Sequence, residues 1–429
     1  MVPLRRGGWI ALSVLGLMAG LGAGIPVAWE RALGPSVPQA LIAGHVLSPQ
    51  AQELVDRALA GLDRDRVLDH HAHLAGMGTS GSGCELSPEH LSWAHPWKRI
   101  QTLAYMRAGG VQTLEDADAQ FAERLLQLIE HPQYPGRVLL LAFDRAHLPD
   151  GSVDAARSEF FVPLDWVERH SKAAPQRCFS AASIHPYRTD ALEVLRSAHA
   201  CGVRVVKWLP NSMGIDPADA RCQPFYAELA RLDMTLLTHA GEEQAVDAGE
   251  RQEYGNPLRL RAALQAGARV IVAHCASLGD SLDLDAPAKD GIRVRRSSFE
   301  LFARMMDEQR LADGANDGAR RGGLWGDLSA ITFRNRDARV LHELLRRGEW
   351  HGRLVNGSDW PLPAIRVMTD LDALRAAGLL RSEDVPLLEE LQAYHPLLFD
   401  LVLKRMLCGE RDARFADEVF LARPEVAGW

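Results

Sequence analysis

The chain has 429 residues, 47% hydrophobic and 24% charged, ordinary values for a soluble globular protein with room for a full core. A formal net charge of −8 leaves no basic footprint and argues against nucleic acid as a partner. Lysine occurs only at 98, 172, 207, 289 and 404, so a lysine inside an apolar strand stands out.

Arg5 and Arg6 precede an apolar run from about Trp9 to Trp29 with no charge before Glu30. About twenty such residues can span a bilayer, whereas a signal-peptide core is about half as long. Residues 1–30 are therefore read as a signal anchor, with a cleaved signal peptide as the alternative. The positive flank stays in the cytoplasm, and both readings put the rest of the chain outside it. Export makes disulfides available to cysteines 84, 178, 201, 222, 275 and 408. No Cys-x-x-Cys occurs, which argues against a structural zinc knot. Cys84 and Cys222, both expected in loops at one end of the fold, form one candidate pair; buried free thiols are the other reading.

Residues 31–63 read as a linker and a helix, with Ser48 as N-cap, Pro49 at the first turn, and Leu54, Val55, Ala58 and Leu59 at helical spacing. Apolar strand-like runs then recur at 66–71, 137–143, 178–184, 203–209, 234–239, 269–274, 324–330 and 353–358. Helical patterns lie between them, as at 190–200, 222–232, 257–267 and 337–348. Eight strand–helix units predict an α/β protein, a (β/α)8 TIM barrel over 64–405 followed by a tail at 406–429, with its site at the C-terminal strand ends. Two connections, 74–136 and 275–323, are long insertions suited to shaping a pocket. The first begins Gly/Ser-rich and turns helical near 115–130; the second has a helical piece near Phe299–Arg310.

The strand ends carry the chemistry. The first run ends in Asp69-His70-His71-Ala72-His73, and side chains at i and i+2 of a strand point the same way, so His71 and His73 can share one ion. The fourth run supplies Lys207, the fifth His239, the sixth His274, and the eighth is followed by Asp359. Singly, each reads as a structural residue. Jointly they make a metal shell. Asp144, His147, His185, Tyr187, Arg188, Trp208 and Asn211 fall near the same strand ends and could line the mouth. Glu242 reads as a helix N-terminal carboxylate favoured by the macrodipole, and Cys275 as buried packing.

As a set, the motifs resemble the amidohydrolase superfamily, and more narrowly its amidohydrolase-2 branch, over about 66–405. The carriers are the Asp-His-His-Ala-His run, Ser183-Ile184-His185-Pro186, Val206-Lys207-Trp208-Leu209-Pro210, Thr238-His239-Ala240-Gly241, Ala273-His274-Cys275, Gly357-Ser358-Asp359-Trp360-Pro361 and Pro396-Leu397-Leu398-Phe399-Asp400. The resemblance implies that His71, His73, His239 and Asp359 hold or face a divalent ion, zinc above all, as one or two ions. Asp359 would move the proton. His274 would polarise the scissile carbonyl or bind a second metal. Lys207 would bridge two ions if carboxylated, pair with a substrate carboxylate, or form a structural ion pair. Arg188, Trp208 and His185 are expected at the substrate.

The function expected is metal-dependent hydrolysis of an amide, ester or lactone-like bond; the alternatives are decarboxylation of an aromatic or unsaturated acid, and a catalytically inactive binding barrel. Expected partners are a small-molecule substrate, the membrane through the N-terminal segment alone, and copies of the chain in a homo-oligomer.

Overall fold

A computed structural model describes residues 30–288, 292–315 and 322–427. The N-terminal anchor or signal segment lies outside the described residues, among which no helix is long and apolar enough to cross a membrane. Eight parallel strands form one sheet: β1 (Leu68–His73), β2 (Arg137–Leu141), β3 (Cys178–Ala182), β4 (Val205–Trp208), β5 (Thr235–His239), β6 (Arg269–Ala273), β7 (Gly323–Asp327) and β8 (Leu354–Val355). Neighbours in sequence are neighbours in the sheet, the strand order of a singly wound barrel. The ring closes between β1 and the turn after β8: His70 N donates to Asn356 O, Asp359 N to His71 O and His73 N to Trp360 O. All eight runs read from the sequence are strands, shifted by a few residues at their ends.

The period of two along each strand sorts side chains between the barrel interior and the helices. Leu139, Leu141, Ala181, Val205, Leu237, Ile271, Ala273, Trp325 and Val355 cluster in the interior. Their strand neighbours, such as Leu140, Val206, Leu236, Val270, Leu324 and Leu354, join the larger core that includes the helix layer. Val426 and Ala427 pack into the interior cluster, and Thr235 Oγ1 donates to Val426 O, so the tail is part of the barrel.

Helices Ala191–Ala200, Gln223–Arg231 and Ala338–Arg346 match their sequence patterns. The insertion after β1 contains helices Pro96–Ala108 and Ala117–Glu130, and its short strand Glu85–Leu86 pairs with Phe160–Phe161. The insertion after β6 holds a hairpin, 280–282 with 295–297, and helix Ser298–Ala315. Asp118, fully buried, ties down the glycine-rich turn after β1 by accepting from Met77 N, Gly78 N, Thr79 Oγ1 and Ser82 Oγ. The expected Cys84–Cys222 disulfide is absent: all six cysteines are free thiols. Cys222 Sγ donates to Asp216 O, while Cys84 packs in the core beside the Asp118 turn.

Candidate metal centre

Inward register brings the first ligands together. His71 Nε2 and His73 Nε2 are 3.2 Å apart at the end of β1. Asp359 Oδ1 lies 3.5 Å from the first and 3.3 Å from the second. Three lone-pair-bearing atoms crowded this closely repel unless a proton or a cation sits among them. Burial lowers the pKa of His73 to about 4, which argues against the proton. Two imidazoles and a carboxylate are donors suited to a divalent ion, and this set fits one.

The groups behind the ligands fix their orientation. His71 Nδ1 is 2.6 Å from Asp327 Oδ2, at the end of β7, which keeps the proton on Nδ1 and turns Nε2 to the cavity. His71 holds Asp327 well below the usual carboxylate range, outweighing the opposing effect of burial. Asp69 accepts from His71 N and Ser358 N, tying β1 to the turn that carries Asp359. Gly357 lies where a Cβ would meet His71 Cβ at 2.7 Å, so only glycine lets β8 approach this closely. Lys404 Nζ donates to Gly357 O at 2.5 Å and pairs with Asp400 at 2.6 Å, a buried clamp on the same turn.

His239 and His274 face the same cavity outside the tight group. Leu237 points inward, so His239 does too; its Nδ1 lies 3.4 Å from Glu243 Oε2. His239 Nε2 is buried without a hydrogen-bond partner among the described residues, a second atom that a cation or substrate would satisfy. His274 follows the inward Ala273 and by strand period would face the helices. Its left-handed backbone, φ 56°, breaks the period and carries the ring to the mouth. There its Nδ1 is 2.7 Å from Ser329 Oγ and 3.1 Å from Ser329 O. Lys207, inward by the same parity as Val205, places Nζ 3.1 Å from His71 Nε2, and burial lowers its pKa to about 8.

No family model matches the chain, and no curated protein does. Solved structures similar to it include an uncharacterised TIM-barrel protein from Bordetella bronchiseptica, 14% identical, covering 76% of this chain and 99% of that one with a TM-score of 0.44. An amidohydrolase II is 14% identical, with 79% and 99% covered and a TM-score of 0.40. The manganese-bound 5-carboxyvanillate decarboxylase of Novosphingobium aromaticivorans is 10% identical, with 77% and 94% covered and a TM-score of 0.38. These overlaps are loose, so what the site does rests on its own residues.

Three residues expected at the substrate lie elsewhere. Trp208 alternates with the inward Lys207 and is therefore buried among Phe225 and Tyr226 on the helix side, its Nε1 donating to Ile184 O. Arg188 is held by Asp190 and Asp144 away from the cavity. His185 is fully buried, with Nε2 3.0 Å from Met213 O, and its backbone N donates to Asp144 Oδ2. His147, Tyr187 and Asn211 are likewise spent on loop hydrogen bonds. No helix starts at Glu242; it lines the cavity instead.

The structure adds Asp327, Ser329, Glu243 and Arg336. Asp327 ends β7, inside a run already recognised, so its position was the available signal. Arg336 sits on an irregular loop and had none. It lines the cavity with no ion pair among the described residues, and its Nε has no hydrogen-bond partner there. Burial lowers its pKa to about 10, which leaves it charged at neutral pH.

Proposed function

We propose that the chain is a metal-dependent hydrolase of the amidohydrolase type, cleaving an amide, ester or lactone-like bond with one divalent ion, most simply zinc. The convergence of His71 Nε2, His73 Nε2 and Asp359 Oδ1 at the mouth of a parallel barrel carries this reading. Such an ion supplies Lewis acidity and brings the pKa of water towards roughly 7. Asp359 takes the proton from the attacking water and returns it to the leaving nitrogen or oxygen. Its place beside His71 and His73, against the ion they would hold, keeps it ionised for the first transfer. His239 and His274 present ring nitrogens to the scissile group, and Arg336 and Lys207 offer positive charge to an anionic part of the substrate.

A single ion accounts for the second cluster as well. His71, His274 and Asp327 also lie close enough to hold metal, but His71 Nδ1 is already committed to Asp327 at 2.6 Å. Those atoms serve as a hydrogen-bonded support. A carboxylated Lys207 bridging two ions remains the competing arrangement.

The second reading, decarboxylation of an aromatic or unsaturated acid, is favoured by one observation: Arg336 is a charged guanidinium in the cavity without a carboxylate partner among the described residues. Metal content per chain, measured on full-length protein purified without chelator, tests the centre. About one equivalent supports the reading, two the bridged pair, and none after zinc or manganese is offered overturns it. Product analysis then separates the chemistries, since hydrolysis yields two fragments or a ring-opened acid and decarboxylation yields CO2.

A further inference from the structure

We propose that the barrel mouth docks on a lipid bilayer and that the cavity admits an amphiphile from it. The docking part stands independently; the substrate part rests on the cavity being the active site.

Among the described residues nine large apolar side chains are exposed, and six of them, all but Ile42, Val46 and Leu311, lie on loops at the mouth end of the barrel. Trp93 is 79% exposed and Trp97 50%, on the insertion after β1; Leu148 and Val153 are exposed after β2, and Leu284 and Ile292 after β6. All six lie on segments that follow the C-terminal ends of barrel strands, the end where the metal centre opens. A large exposed tryptophan beside further apolar groups marks an interaction surface, and tryptophan favours the membrane–water interface.

The two tryptophans are held in place. Residues 93–97 form a continuous exposed tip that runs from beyond the turn Pro88–Leu91 into the start of helix Pro96–Ala108. Lys98 joins Glu89 and Glu159, and Glu159 accepts from Asp247 N, so the tip is pinned to the loops after β2 and β5. Arg99 stacks on Trp93 at 4.6 Å. The other part of the same helix lines the cavity through Gln101, Thr102, Tyr105 and Met106.

The route of the chain says what covers this surface. The described structure starts at Glu30, immediately after the apolar run 9–29, and Glu30 lies 3.8 Å from Arg107 on helix Pro96–Ala108. Ala32 and Leu33 pack with Phe333 and Met368, which themselves line the cavity. A bilayer-spanning segment over 9–29 would therefore leave the membrane beside the mouth. About ten helical residues, roughly 15 Å, separate Arg107 from Trp97, well within the footprint of one domain. The cavity wall continues the apolar path, with Tyr105, Met106, Phe143, Phe160, Leu209 and Phe333 above the polar floor. A hydrocarbon body fits that wall, and a polar head fits the floor with its histidines, Lys207 and Arg336.

The test places the full chain in phosphatidylcholine vesicles with either ordinary or dibrominated acyl chains. Tryptophan emission is compared with that of the Trp93→Ala/Trp97→Ala variant, so that subtraction isolates these two among the 10 tryptophans. The difference intensity is expected to be largely lost in brominated vesicles, because bromine quenches on contact. An unchanged difference overturns the proposal. So does shielding from aqueous iodide without bromine quenching, which would mean that a second copy or another protein covers the tip. Both side chains are exposed, so the variant should fold and keep wild-type metal content; failure here leaves the metal centre untouched.

Discussion

His71 Nδ1 and the Asp327 carboxylate meet at 2.6 Å, joining the last residues of β7 to the first ligand strand. Both are fully buried, so the contact does not compete with water. It fixes which imidazole nitrogen bears the proton and so which one is free for metal. Asp327→Asn keeps the shape, and its remaining oxygen can still accept from Ser329 N. The charge that makes His71 a strong donor is lost. Metal affinity should fall by about 10–100-fold, the usual cost of losing such a partner. Competition against a coloured chelator reads it, with circular dichroism showing an unchanged fold; unaltered affinity would detach Asp327 from the centre.

Asp359 is a neighbour of both ligand imidazoles and the only carboxylate among the described residues within ion-pair distance of either Nε2. Asp359→Asn should abolish turnover, a loss of at least about 10²–10⁴-fold for an acid–base group, while most of the metal stays on the histidines. Near-wild-type turnover in that variant would remove the proton shuttle from the mechanism.

The barrel was legible because its signals are local. Each strand is a short apolar run, and parity along β4 and β5 already implied that Lys207 and His239 face inward. The same parity, applied to Trp208, would have placed it under the helices and prevented its assignment to the pocket. His274 and Asp359 reached the mouth through left-handed backbone, φ 56° and 62°, which no strand pattern encodes. Arg188 looked available because a cation on a loop does not show its partners; Asp144 and Asp190 claim it only in three dimensions. Arg336 was unreadable for the opposite reason. It is one arginine among many, marked only by having no ion pair among the described residues.

His395 offers a pH test away from the metal ligands. It is fully buried, with Nε2 2.9 Å from Leu128 O and Nδ1 accepting from Leu398 N at 3.1 Å to cap helix Pro396–Met406. Burial lowers its pKa from 6.5 to about 3. The unfolded chain takes up a proton as pH falls through about 6.5, whereas the native state does not until far lower. Its contribution is therefore complete above that pH and is lost on acidification, at up to about 1.4 kcal/mol per pH unit. His395→Asn removes the titration and keeps a capping side chain. Between about pH 6 and 4 the variant should lose less stability than wild type, read as urea midpoints. Parallel slopes would show that His395 is protonated in the folded state.

Arg336 separates the two chemical readings by what it binds. A guanidinium with no ion pair among the described residues, in a cavity also lined by Tyr105, Met106, Phe143 and Phe333, should attract an aromatic carboxylate, with which it can form two parallel hydrogen bonds. Benzoate in excess should then raise the melting temperature of the metal-loaded protein, since a ligand that binds only the native state stabilises it. Arg336→Gln should abolish that rise with metal content unchanged. A rise that survives the substitution would move the anion to Lys207 or to the centre itself. No rise in wild type would leave Arg336 to balance Glu243 and Asp359, the acidic neighbours that already hold its charge in place. That outcome would weigh against the decarboxylase and for a neutral scissile group.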